Sequence, residues 1–383
     1  MMQYAGYSDD AQQLHESTLD QIITAYLGPH PEGPNRDPIL TWKSFMNDDH
    51  TPIEFSWSWR LNSLPTMRCG MEVIVGDGNG SSASTEEALN LVGRLARQDP
   101  SINLEWCHHF ADTLLSGHET LPRAGTIGCP SEMFLALEFL ESRTGLKVYY
   151  IPADSGVAED VQGLRIIRQS LQGLPHSTAR LLGSFDMIQK YLYSAHGIFE
   201  PRVEMLAIDC IAPENARIKI YIRSPKTSFA SVKEMMSLGR RLGDMPDPAM
   251  DSLRMLWSLM LGPGLVASDD QELPCSTHRT SGMIYHFSIR VGKELPTCKL
   301  YIPVKHYARD DAKVAEGLDS FLRAHGMHLQ GIPYSEAATQ LCSHRRLADG
   351  LGFHTYISAE VDGESLAVSS YIQPEIYRPT GRR

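Results

Sequence analysis

The sequence predicts an α+β protein, a closed antiparallel β-barrel of about ten strands ringed on its outside by α-helices. Three observations carry this. Strands of one build recur as KVYYIP at 147–152, RIKIYIRS at 217–224 and KLYIPV at 299–304, each with a Lys-x-Tyr step. Paired helical patterns precede paired strands about five times over, a rhythm that keeps every helix on one side of the sheet. A sheet that wide, covered on one face only, curls shut and leaves its other face lining a lumen.

The elements follow in order. PIEFSWSWRL at 52–61 alternates Ile53, Phe55, Trp57 and Trp59 with Glu54, Ser56, Ser58 and Arg60; MRCGMEVIV at 67–75 alternates Arg68, Gly70 and Glu72 with Cys69, Met71 and Val73. Such period-two patterns are strands with one apolar face. Gly76-Asp77-Gly78-Asn79-Gly80 lacks the Lys-Ser/Thr of a phosphate loop and reads as a turn. Ser84-Thr85-Glu86-Glu87 begins a helix that runs to Arg97, and Pro130-Ser131-Glu132 begins another that ends near Gly145. Helices are expected over 159–172 and 180–195, then 228–243 and 247–261, then 311–326 and 334–349. FHTYISAEV and ESLAVSSYIQP form a last hairpin around Asp362-Gly363, with Tyr356 and Tyr371 on its strands. Residues 1–383 are expected to form one domain, with a short helical lead-in and a disordered tail after about 375.

The chain of 383 residues carries a net charge of −11 with its basic residues scattered, which argues against a nucleic-acid or anionic-membrane partner. No run is long and apolar enough to span a bilayer, so the expected location is cytoplasmic. The seven cysteines stand apart with no CxxC pair, arguing against a disulfide framework or a zinc site and for buried thiols. The histidines, including His108-His109, lack metal-ligand spacing and read as structural.

With the aliphatic faces packed outward on helices, Arg68, Lys147, Arg217, Lys219 and Lys299 point inward, as do Tyr149, Tyr221, Tyr301, Tyr356 and Tyr371. One such strand alone would be a solvated sheet face; the recurrence turns the set into a lining. Enclosed cations without a counter-charge are costly, so the lumen is expected to receive an anion. Lys and Arg suit phosphate oxygens, and this many suit a diphosphate. Tyrosine faces beside that anion suit a cation formed as the diphosphate leaves, as happens when dimethylallyl diphosphate ionises. Asp48-Asp49, Asp269-Asp270 and Asp310-Asp311 are pairs rather than a DDxxD cluster. Metal and resident cofactor are therefore expected to be absent, with Lys and Arg stabilising the leaving group. Glu54, the acid on its strand face, is expected to accept a hydrogen bond from an N–H or O–H of an aromatic acceptor and raise its nucleophilicity.

DDHTPIEFSWSW at 48–59, the three Lys-x-Tyr strands, ARIKIYIRS at 216–224 and KLYIPVKHYARDDAKVAEGL at 299–318 together resemble the fungal aromatic prenyltransferases of the dimethylallyltryptophan synthase family. The resemblance covers nearly all of the chain. It implies a barrel ringed by helices and transfer of a prenyl group to indoles and related aromatics. By position it implies Glu54 as acceptor of the indole N–H, and Arg68, Lys147, Arg217, Lys219 and Lys299 as diphosphate contacts. Tyr149, Tyr221, Tyr301 and Tyr371 become the cation shield, and Phe45 and Met46 lie where the acceptor is met. Two departures stand out: Glu204 occupies the place of an Arg that would face the carboxylate of free tryptophan, and Glu360 and Asp362 stand where some members have a basic residue. The expected reaction is dimethylallyl transfer to an indole, a tryptophan-derived cyclic dipeptide or alkaloid, with a polyketide phenol or xanthone as the alternative acceptor. A non-catalytic carrier of an amphiphilic anion is the alternative of another class. The expected partners are small-molecule substrates, with no nucleic acid and no membrane, and the oligomeric state is left open.

Overall fold

The computed structural model describes residues 1–29, 40, 42–76, 81–115, 131–151, 162–265 and 267–377. Its strands are β1 (Ile53–Trp59), β2 (Thr66–Met71), β3 (Ile74–Gly76), β4 (Ser81–Ala83), β5 (Met133–Phe139), β6 (Thr144–Tyr150), β7 (Arg202–Asp209), β8 (Arg217–Ser224), β9 (Met283–Arg290), β10 (Thr297–Ile302), β11 (His354–Asp362) and β12 (Ser365–Ile372). β3 and β4 form a small separate ribbon, and the other ten close into an antiparallel barrel in the order β1-β12-β11-β10-β9-β8-β7-β6-β5-β2. The expected barrel is the one observed. Neighbours in the chain are neighbours in the sheet except at β2–β5 and at the closing seam, where Phe55 to Trp59 pair with Ile372 to Val368.

The helices are α1 (Met2–Ala5), α2 (Asp9–Thr18), α3 (Thr85–Gln98), α4 (Glu105–Leu114), α5 (Gln162–Gln172), α6 (Ala179–Phe199), α7 (Phe229–Met236), α8 (Asp247–Leu261), α9 (Val304–Tyr307), α10 (Asp311–Ala324) and α11 (Tyr334–Leu341). Their starts obey local chemistry: the Ser84, Thr178, Ser228 and Asp310 side chains each accept from a backbone N–H of the first turn. Their apolar faces pack on the outward strand face, so the main core, with Trp57, Trp59, Phe139, Val148, Ile220 and Phe287 essentially unexposed, forms a sleeve around the barrel. A second, small cluster lies inside it and is built from Ala207, Tyr221, Ile284 and Tyr301, with Tyr149, Met205, Tyr356 and Tyr371 against it. Among the described residues no helix is long and apolar enough to cross a membrane.

Several expectations need correction. No helix runs from Pro130 to Gly145: Ser131 and Glu132 lead directly into β5, and β6 begins at Thr144. MFLALEF consists largely of good helix formers, but it lies between β2 and β6 and is buried at all but one position, so tertiary pairing overrides propensity. α4 went unanticipated although Trp106, Phe110 and Leu114 stand at helical spacing and are all buried. α7 stops at Met236 because Leu238, Gly239 and Arg240 turn to positive φ, and α11 stops at Leu341, with only a single 3₁₀ turn at Leu347–Asp349 beyond it. Of the six described cysteines five are buried and Cys275 is exposed, which overturns its reading as a buried thiol; Cys129 lies outside the described residues. So do most of the glycine-rich turn after Gly76, the start of the 159–172 helix, and positions 378–383 of the expected tail.

Candidate active site

A cavity of about 280 Å³ runs into the barrel, and every residue singled out in the sequence lines it: Glu54, Arg68, Lys147, Arg217, Lys219, Lys299, Tyr149, Tyr221, Tyr301, Tyr371, Tyr356, Phe45, Met46 and Glu204. Strand alternation sorts them into layers. Along β8, Arg217, Lys219, Tyr221 and Arg223 point inward in succession; β6 repeats the step with Lys147 and Tyr149, and β10 with Lys299 and Tyr301.

At one end lie the cations, and they are not bare. Glu138 on β5 accepts from Arg68 at 2.6 Å and from Lys147 at 2.8 Å. Asp209 on β7 accepts from Arg217 and Lys219, both at 2.6 Å. Burial alone would raise these two carboxyls, but the cations override it and hold both well below the ordinary carboxylate range. The expectation that the lumen must take an anion because its cations lack partners is therefore corrected: the chain supplies two counter-charges of its own. The five cations still outnumber the two carboxylates that pair with them. Among the described residues Lys299 has no carboxylate partner within bonding distance, and it donates to Ser369 Oγ at 3.0 Å. Burial draws the ammonium groups of Lys147, Lys219 and Lys299 below their usual range, Lys219 to about 7, so an entering anion would favour their charged forms. Glu360, on the site of an expected basic residue, lines the cavity with Arg60 of the β1 end 3.5 Å away.

Above the cations the aromatic rings form a belt. Centroids lie 5.9 Å apart for Tyr149–Tyr221 and for Tyr221–Tyr301, 5.6 Å for Tyr301–Tyr371 and 6.2 Å for Tyr301–Tyr356. Phe134 stacks on Tyr149 at 4.2 Å, and His286 sits 5.1 Å from Tyr221. The Lys299 ammonium lies 5.5 Å from the Tyr301 ring. These ring faces offer negative potential to a cation.

At the other end Glu54 accepts from Thr355 Oγ1 at 2.5 Å. Burial raises its carboxyl to about 7, with the Thr355 hydrogen bond and the Lys305 ammonium opposing. Phe45 is held through Glu72, which accepts from the Phe45 N–H at 3.1 Å and from Ser44 Oγ at 2.6 Å. Arg279 donates to the Phe45 carbonyl at 3.2 Å. Glu204 accepts from Arg223 at 3.0 Å and Arg202 at 2.7 Å, so its charge is met within the protein. Two register shifts shape this end. One between Val203 and Met205 aims Glu204 inward beside Met205, and one between His354 and Tyr356 brings Thr355 to Glu54.

Sequence reasoning missed Glu138, Asp209, Arg223, His286, Lys305, Phe134 and Thr355. The inward alternation of β8 could have found Arg223; Thr355 had no signal, because a bulge inverts its facing. The structure also gathers Asp48, His278 and His306 at the rim, with one ligand atom of each within 4.8 Å of the others, which spacing along the chain did not suggest. That group could meet a metal ion in principle, but the Lys305 ammonium already lies 3.0 Å from Asp48. Cys342, His344 and Glu375 form a second such group, and there Arg345 occupies the carboxylate at 2.8 Å.

Comparison with known proteins places this geometry. The family model described as tryptophan dimethylallyltransferase matches residues 1–336. A 4-O-dimethylallyl-L-tyrosine synthase of Claviceps purpurea is 34% identical over 381 residues, covering 98% of this chain and 85% of that protein. The prenyltransferase anuH of Penicillium roqueforti is 31% identical, covering 99% of this chain and 87% of its own length. The crystal structure of AnaPT from Neosartorya fischeri superposes with a TM-score of 0.78 at 18% identity, covering 97% of this chain and 89% of that one, a likeness of fold. On the extent of the family match and of these identities, the chain belongs to the tryptophan dimethylallyltransferase family of aromatic prenyltransferases.

Proposed function

We infer that the chain works as one catalytic unit that transfers a dimethylallyl group from dimethylallyl diphosphate to an aromatic acceptor. One observation carries the reading: a basic layer of five cations and a half-buried carboxyl raised to about 7 face each other across a belt of tyrosines. The diphosphate, with its three negative charges, would seat on Arg68, Lys147, Arg217, Lys219 and Lys299, with Arg60 at the edge. Ionisation breaks the allylic C–O bond, the electron pair leaves with the diphosphate, and the allylic cation forms against Tyr149, Tyr221, Tyr301, Tyr371 and Tyr356. Glu54 would accept the N–H or O–H of the acceptor and take its proton as the new bond forms. No step in this scheme draws on a metal or a resident cofactor.

For the acceptor, an aromatic amino acid of the tyrosine type stands ahead of the cyclic dipeptide expected from the sequence. That expectation rested on Glu204 repelling a carboxylate, and Glu204 is neutralised by Arg223 and Arg202. Arg279 on the same rim supplies positive charge, and the Claviceps relative is named for O-prenylation of tyrosine. An indole remains the second reading, because Glu54 serves an N–H equally well. The test is incubation with dimethylallyl diphosphate and a panel of L-tyrosine, L-tryptophan, a tryptophan-containing cyclic dipeptide and a hydroxynaphthalene, with EDTA present. Acceptor-dependent pyrophosphate release is expected, strongest with tyrosine. Binding of the diphosphate without release under any acceptor would make the chain a carrier instead, and turnover only with the cyclic dipeptide would restore the indole reading.

A further inference from the structure

His286 stands at the junction of the basic and aromatic layers and takes no part in the scheme above. Its Cα pairs with that of Lys299 on β10 and that of Tyr221 on β8, which places the imidazole between ammonium groups below and phenol rings above. Nδ1 lies 3.1 Å from the Tyr301 hydroxyl, and the ring lines the cavity. That junction is where the C–O–P link of an allylic diphosphate would lie, with its phosphates on the cations and its carbons against the rings.

The groups facing His286 are Arg217, Lys219 and Tyr221 from β8, Lys299 and Tyr301 from β10, and Asp209 from β7. Burial and then Lys299, Lys219 and Arg217 push the imidazole well below its usual range, with Asp209 opposing, so it is neutral when the cavity holds no anion. A diphosphate reverses that balance, since its charges offset the three cations and put an acceptor beside the ring.

We propose that His286 takes up a proton when a diphosphate enters the barrel and returns it to the diphosphate as the allylic C–O bond breaks. This rests on the prenyl-transfer reading. The bonding pair of the C–O bond stays with the diphosphate oxygen, and the imidazolium proton passes to a phosphate oxygen. The products are neutral imidazole, the hydrogen diphosphate trianion and the allylic cation, while the acceptor's own proton goes separately to Glu54. Protonation makes the diphosphate a weaker nucleophile towards the cation it has just released, so His286 limits return to the starting ester.

The test titrates inorganic pyrophosphate into the protein by calorimetry near neutral pH, in buffers of differing ionisation enthalpy. Wild type is compared with His286→Gln and His286→Asn. Lys219 and pyrophosphate itself exchange protons in the same range, and the difference between wild type and variants isolates the imidazole. Wild type is expected to take up more protons on binding than either variant; equal uptake overturns the assignment. Absence of pyrophosphate binding in wild type would overturn the diphosphate site instead. Should a variant not fold or not bind, the imidazole ¹⁵N spectrum of wild type decides: one of the 15 histidines turns from neutral to imidazolium on adding pyrophosphate, and no such change sinks the proposal.

Discussion

Glu54 shows how one residue couples activity to stability. Burial raises its carboxyl to about 7 in the fold, against an ordinary value of 4.5. Between those values the folded state holds the proton and the unfolded chain does not, so this group's contribution to stability declines as pH rises from about 4.5 through about 7. The role assigned to it needs the carboxylate, so activity should rise over the upper part of that range. Glu54→Gln is therefore expected to lower kcat about 10²- to 10⁴-fold and to abolish the acid limb of the pH–rate profile. The same variant should melt no lower than wild type above about pH 8, because a neutral amide replaces a buried charge. A variant that loses activity only in proportion to lost folded protein would refute the role. Glu54 was legible in the sequence because it is the one acid on a strand face shared with Ser56, Ser58 and Arg60. Its partner Thr355 was not, since the two are joined only by barrel closure and by a bulge.

Element by element, legibility followed alternation. The Lys-x-Tyr strands declared themselves because one face is basic and phenolic and the other aliphatic, whereas β5 reads as a helix because it is apolar on both faces. The β11 bulge belongs to this scale and has a measurable consequence. Thr355→Val keeps the shape and removes the hydroxyl that holds the Glu54 carboxyl down, so the acid limb of activity should move to higher pH. An unmoved limb would mean that the Thr355 hydroxyl does not govern Glu54. The join of α10 to β11 is a second case. Asp310 caps the helix, while Asp311 is wholly buried and accepts from the Phe353 and His354 N–H groups, the His354 ring and Arg345. Asp311→Ala leaves the Arg345 guanidinium and those N–H groups without their acceptor and should destabilise the fold by about 3–5 kcal/mol in denaturant titration. A loss under about 1 kcal/mol would show that water or Glu375 takes over as acceptor.

Across the whole molecule, charge is segregated by the barrel wall. The chain is acidic overall at −11, yet its lumen gathers more cations than carboxylates, with a basic layer drawn from β2, β6, β8 and β10. Composition could not show this, because the total averages an acidic exterior with a basic interior; the repeat could, because it placed the cations at equivalent strand positions. The two carboxylates that partly neutralise them were invisible in the repeat, since Glu138 and Asp209 sit on the partner strands. Anion binding should therefore bridge strands around the barrel and stabilise it as a unit. Inorganic pyrophosphate at a hundredfold excess over its Kd should add about 2.7 kcal/mol and raise Tm by several degrees, in EDTA as much as without it. Raising ionic strength should erode the shift only partly, because the charges are buried. Lys299→Gln makes the sharpest control: it removes a cation that no carboxylate among the described residues meets within bonding distance, so it should disturb the unliganded Tm less than loss of a paired cation and diminish the shift. An equal shift in that variant would place the anion elsewhere than at the convergence of the strands.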